Sequence, residues 1–246
     1  MTVLPTIKKT SLLVSLLLLA GCAAMQTAIE HRDLETSTKQ SQTIFLDPVN
    51  PSLRTVYIVM KNSSDEAINI NAPLKQALQA KGYRVVSNPD NAHYLLQANV
   101  LKVGKMSQAA SRAALGGGYG AALAGIGTGV AAGALVGTDS AMLGGGLAGG
   151  LVSFAADSMV KNVNYTMITD VQISERTRDG VKVREQFDTS LQNGTASRTT
   201  QIMTRDSRYQ RYRNRVVSTA NKVNLKFQDA RAVLEEKLVK TLAGIF

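Results

Sequence analysis

Apolar and polar positions alternate with strand-like period on both sides of a long uncharged stretch. Leu53 to Met60 is rich in β-branched residues (Val56, Ile58, Val59) and predicts a strand. Asn62-Ser63-Ser64-Asp65 signals a turn. A helix follows, with Pro73 in its first turn, Leu74, Ala77 and Leu78 on its apolar face, and Gly82 as its stop. Tyr83 to Ser87 and Tyr94 to Val103 are two further strands around the turn Asn88-Pro89-Asp90-Asn91. Beyond the stretch, Val163 to Ser174 places Tyr165, Met167, Val171 and Ile173 on one face and Thr166, Asp170, Gln172 and Ser174 on the other. Val181 to Phe187 and a segment near Ile202 are weaker strands, set apart by Arg178-Asp179-Gly180 and Asn193-Gly194. Arg215 to Phe227 reads as extended or partly helical. From Asp229 the pattern is an amphipathic helix, with Ala230, Val233, Leu234, Leu238 and Leu242 inward and Glu235, Glu236 and Lys240 outward.

The uncharged stretch, residues 112–157, holds most of the chain's 20 glycines and carries one charge between its ends, Asp139. Thr138-Asp139-Ser140 divides it into two arms, Ala113 to Gly137 and Ser140 to Ala156. As helices these would reach about 37 Å and 25 Å, near the thickness of a bilayer core. Gly117, Ala121, Gly125, Gly129, Gly133 and Gly137 recur every four residues, and Gly145, Gly149 and Ser153 repeat the spacing. Such a row lets a second backbone approach closely. The expectation is a Gly/Ala-rich helical hairpin inserted in the membrane, with residues 138–140 as a surface turn. A flexible linker would ordinarily bring Ser, charge or Pro, which the stretch nearly lacks. A dinucleotide-binding loop at Gly125-Ile126-Gly127 has neither a preceding strand nor an acidic partner about 20 residues on.

The first 22 residues address the compartment. Lys8 and Lys9 precede an apolar run, Leu12 to Ala20, too short to span. Leu19-Ala20-Gly21-Cys22 then has the pattern of a bacterial lipoprotein cleavage site. Cys22, the single cysteine, would carry a covalent diacylglycerol and an N-acyl lipid, a lasting anchor. Ala23 follows instead of Asp, which favours the outer membrane. Removing residues 1–21 with their two lysines lowers the net charge from +10 to +8. That charge suits anionic lipid or lipopolysaccharide more than nucleic acid. The expected architecture is α+β. Signal 1–21 and lipidated tether 22–52 precede one small periplasmic domain built from both halves of the chain (53–111 and 158–246), interrupted by the hairpin 112–157. Two glycine-rich helices cannot cover all of each other's small faces, so neighbouring copies would complete them. This predicts a homo-oligomer, a ring of hairpins under a collar of domains.

Catalytic chemistry is poorly supplied. His31 and His93 lack ligand spacing, no Cys/His cluster offers a metal site, and no G-x-S-x-G is present. The chain reads as a non-enzyme with no cofactor. Arg205, Arg208, Arg211, Arg213 and Arg215 interleave with Tyr209 and Tyr212. Charge of this kind commonly protects a solvated edge strand. Contact with lipopolysaccharide phosphates is the functional alternative.

The chain resembles the TraT surface-exclusion and complement-resistance lipoproteins of conjugative plasmids. The resemblance rests on Gly21-Cys22-Ala23-Ala24-Met25 with Thr27-Ala28-Ile29, on Gln97-Ala98-Asn99-Val100-Leu101-Lys102, and on Asn164 to Ile173 with Glu175-Arg176-Thr177. It continues in Arg215-Val216-Val217-Ser218 and Ala220 to Phe227, in the family's order. It implies an outer-membrane lipoprotein that lets a plasmid-bearing cell refuse redundant conjugation; the expected mechanism is that the part exposed at the cell surface blocks contact with the donor's pilus or mating apparatus. It also implies a homo-oligomer and, in some members, resistance to serum complement. The reading from another class is an oligomeric envelope channel or structural lipoprotein.

Overall fold

The computed structural model describes residues 31–121, 123, 162–178, 181, 183–193 and 197–246, with residues 185–193 and 197–205 described by backbone alone. Two strands, β1 (Glu35–Gln40) and β2 (Thr55–Asn62), precede helix α1 (Asn71–Ala80) and the short β3 (Arg84–Val85). Strand β4 (Tyr94–Lys105) leads into helix α2 (Gln108–Gly116). The second half supplies β5 (Asn162–Arg176), β6 (Val183–Asn193), β7 (Ser197–Ser207), β8 (Tyr209–Val223) and helix α3 (Phe227–Gly244).

Six strands form one sheet in the order β1-β8-β5-β4-β2-β3. The pairs β2–β3 and β2–β4 are parallel, and the others are antiparallel. Strands from either side of the glycine-rich stretch thus pair directly, Tyr94 opposite Glu175 and Lys105 opposite Tyr165. The remaining strands, β6 and β7, form a separate two-stranded ribbon that continues from β5 and β8.

One face of the sheet is apolar because its alternate residues are: Val56, Tyr94, Leu96, Val171, Ile173 and Val216 are almost completely buried. Leu74 and Leu78 of α1 and Leu234, Leu238 and Leu242 of α3 close over them. Burying each of these side chains contributes about 1.5–3 kcal/mol. A register shift between Val100 and Lys102 lets Val100 and Val103 both face this core. The C-terminal Phe246 meets Tyr83 and Tyr94 edge-on at 5.2 and 5.5 Å.

The opposite face is largely polar, and α2 covers its centre. Met106, Ala114, Ile168 and Val217 make a small apolar cluster there. Around it the buried hydroxyls of Ser111 and Thr166 hydrogen-bond at 2.8 Å.

This architecture corrects the expected one. The described chain is mostly β-sheet with three α-helices, and among the described residues no helix is long and apolar enough to cross a membrane. The membrane-inserted helical hairpin is not supported. Its first residues show why: α2 stops at Gly116, Gly117 is its cap, and Gly118 (φ +68°) and Gly120 (φ +75°) turn the chain left-handed. Glycine adopts that conformation without the Cβ clash that keeps other residues helical. Gly117 and Ala121 do meet, since a Cβ on Gly117 would lie 2.9 Å from that of Ala121, but across a turn. Gly125, Gly129, Gly133, Gly137, Gly145, Gly149 and Ser153 lie outside the described residues, as do Thr138, Asp139, Ser140 and Cys22. Within the expected tether, Glu35–Gln40 is an edge strand of the main sheet.

Candidate functional site

The polar face is organised around Asp170 and Arg215, which are opposite one another in the β5–β8 register. Arg215 is 0% exposed. Its Nε donates to Asp170 Oδ1 at 2.6 Å and its Nη2 to Oδ2 at 3.0 Å. A planar guanidinium and a carboxylate fit this two-point geometry, which fixes orientation as well as charge. The remaining donors reach the chain overhead: Nη2 to the Ala121 carbonyl at 3.0 Å and Nη1 to the Ala114 carbonyl at 3.3 Å. The Gly120 N–H donates back to Asp170 Oδ2 at 2.8 Å. The end of α2 and the first turn of the glycine-rich stretch are therefore clamped to the centre of the sheet.

The clamp continues along the same face. Arg213 Nε donates to Gln172 Oε1 at 3.1 Å, and Gln172 Nε2 to Gln97 Oε1 at 3.0 Å. The guanidinium of Arg213 lies over the Tyr119 ring, 5.7 Å from its centroid. Arg211 Nη1 reaches Ser207 Oγ at 3.3 Å. Arg215 alone departs from the expectation for the arginine run: it is a buried structural group and neither an edge charge nor a surface contact. Strand β1 pairs with β8 over Val216 to Asn221, so the strand partner of residues 209–215 is β5. Arg208 is exposed, and the side chain of Arg205 lies outside what is described. Buried Asn214 faces the other way and holds the chain after β1, accepting from Ser41 Oγ and the Gln42 N–H at 3.0 Å each.

A second polar cluster sits on the apolar side, at the end of β5. Glu175, 8% exposed, accepts from Tyr212 at 3.1 Å and faces the Tyr94 hydroxyl at 3.4 Å and His93 Nε2 at 3.9 Å. Burial raises the Glu175 carboxyl, against the lowering effect of the Tyr212 hydrogen bond. Burial and then the carboxylate push Tyr212 up to about 12 and raise Tyr94 also. Burial, with Arg176 nearby, lowers His93. Burial shifts each of these groups toward its uncharged form, which suits packing. No group of three or more metal-ligating side chains is gathered among the described residues.

Sequence reasoning placed Asp170 on a polar face but gave it no partner. The available signal was the match of one acidic position in a strong strand with an alternating Arg211-x-Arg213-x-Arg215 pattern in another.

A family model described as enterobacterial TraT complement resistance protein matches residues 33–246. A TraT complement resistance protein of Escherichia coli is 46% identical over 239 residues, spanning 96% of each chain. That of Escherichia coli strain K12 is 48% identical over 240 residues, again 96% of each. A more distant relative under the same name, from Wigglesworthia glossinidia brevipalpis, is 28% identical and covers 93% of this chain and 91% of its own. Among solved structures, the PelC dodecamer from Paraburkholderia phytofirmans covers 84% of this chain and 97% of its own at 7% identity. Its TM-score of 0.29 gives that likeness no weight. The relatives are named for complement resistance. On the match across 33–246 and the full-length identity to its relatives, the chain belongs to the TraT family.

Proposed function

We propose that this protein is a lipid-anchored outer-membrane protein that prevents redundant conjugation and lowers killing by complement. The observation that carries this reading is identity of 46–48% across 96% of both chains to relatives named for complement resistance. Cys22 after Leu19-Ala20-Gly21 supports the anchor and the address. The protein acts by occupying surface, blocking the contact that a donor's mating apparatus must make. The clamp at Asp170 and Arg215 supports such a role, because it holds the root of the glycine-rich stretch in one orientation on a rigid sheet. Precise presentation of a contact segment needs a fixed base.

The acting form is a homo-oligomer. The ribbon β6–β7 pairs with no other strand among the described residues. Isolated two-stranded ribbons are marginal in water, and unpaired edges invite another chain. A recipient strain expressing the protein tests the reading by its survival in serum and by its receipt of a like plasmid. Both phenotypes must vanish with Cys22→Ser if the anchor and address are right.

A further inference from the structure

The polar face holds a second feature, between α2 and the edge strand β1. A cavity of about 210 Å³ lies there, room for roughly seven waters. Its floor is built in rows across three strands. Glu35, Asn221 and Asn164 stand opposite one another in β1, β8 and β5, and Ser37 stands opposite Thr219 in the next row. Lys39 stands opposite Val217 in the third row, and Arg112 of α2 lines the other side. The cavity thus grades from a carboxylate and two carboxamides, through hydroxyls, to an apolar patch, with a cation on either side.

Two observations set this apart from an ordinary surface hollow. Asn221 is 5% exposed, yet its Oδ1 has no hydrogen-bond partner among the described residues. A buried carboxamide oxygen left unpaired is destabilising, and a ligand donor would relieve it. Lys39 and Arg112, both exposed, form no ion pair with Glu35 or with any other described residue, so among the described residues nothing competes with an anion for them.

We propose that this cavity binds one sugar ring bearing a phosphate. Glu35 and Asn221 match the paired hydroxyls of a sugar, and Asn164 adds its Oδ1 as an acceptor, its Nδ2 donating to the Met106 carbonyl at 2.8 Å and to Thr166 Oγ1 at 3.2 Å. Val217 and Leu115 give the ring an apolar surface. Lys39 and Arg112 receive the phosphate, Arg112 with two parallel donors. The same chemistry occurs in the headgroup of a glycolipid and in a free sugar phosphate. The site does not depend on the exclusion reading above and stands or falls separately.

The test is titration of the full-length protein in detergent with glucosamine 1-phosphate, glucosamine and inorganic phosphate, followed by calorimetry. Glucosamine 1-phosphate is expected to bind saturably and at least about tenfold more tightly than either fragment. Lys39→Gln and Arg112→Gln, both at exposed positions, should weaken it by about tenfold each while leaving the melting temperature unchanged. Asn221→Ala should weaken sugar binding without changing the response to inorganic phosphate. Absence of saturable binding, equal affinity for inorganic phosphate, or indifference to both cation substitutions would each overturn the site. Sedimentation with lipopolysaccharide vesicles then separates the sources. A matching loss in Lys39→Gln and Arg112→Gln assigns the headgroup, and unchanged sedimentation beside a weakened titration assigns the free sugar phosphate.

Discussion

Asp170 and Arg215 face each other across β5 and β8, and between them they hold three backbone groups of the chain that passes above. The pair is buried under Ala114 and Gly120–Ala121, so its worth depends on both partners being present. Removing one leaves an uncompensated charge where water cannot reach it. Arg215→Met should therefore lower unfolding stability by about 3–5 kcal/mol in urea titration. The double variant Asp170→Asn/Arg215→Met should cost clearly less than the sum of the two single changes. Additive costs would show that the two residues act independently.

The glycines after α2 differ in what they tolerate. A Cβ at Gly117 would lie 2.9 Å from Ala121 Cβ, so Gly117→Ala forces the turn apart and should cost about 1–3 kcal/mol. At Gly120 the space is open but φ is +75°, so Gly120→Ala should cost only about 1–2 kcal/mol of backbone strain. The loss at Gly117 should be relieved by a second change, Ala121→Gly, and that at Gly120 should not. Melting curves of the four variants decide it.

Glu175 gives the protein a defined pH dependence. Its folded value is raised above the usual 4.5, first by burial. The stabilising contribution of the protonated form is therefore complete below 4.5 and is lost as pH rises through the raised value. Glu175→Gln cannot ionise, so its stability relative to the native protein should increase from pH 4 upward and then level off. His93 has the opposite sign, losing its contribution as pH falls below 6.5. A flat difference between the two stability curves would mean that Glu175 is not the titrating group.

The ribbon β6–β7 should be where copies of the chain meet. Replacing residues 185–205 with Asn-Gly joins the ends of a paired register, Arg184 opposite Asp206, by a tight hairpin turn. The six-stranded sheet should still fold, and the oligomer seen by light scattering should fall to monomer. An unchanged mass would move the interface elsewhere.

The strands and helices with strong patterns were legible in the sequence. In β5 the alternation of Tyr165, Met167, Val171 and Ile173 identified the core face, and in α3 the Ala230-Leu234-Leu238-Leu242 spacing did the same. Strand β1, Glu-Thr-Ser-Thr-Lys-Gln, has no apolar residue and exists through its pairing with β8, some 180 positions away. Local pattern cannot report a contact of that range. Arg215, at the end of the arginine run, misled for a related reason. Charge suggested solvent, whereas Arg215 is buried by a carboxylate 45 positions away. In residues 113–121 the four-residue spacing of Gly117 and Ala121 suggested a continuing helix. Spacing shows which residues are small, and the left-handed turns at Gly118 and Gly120 decided the path instead.

The most direct measurement is a mating assay. Recipients carrying this chain, the Cys22→Ser variant or an empty vector are each crossed with donors of a like plasmid and of an unrelated one. The account predicts that the native chain lowers receipt of the like plasmid alone, and that Cys22→Ser restores it. Equal transfer into native and empty-vector recipients, with the protein present in the outer membrane, would contradict it.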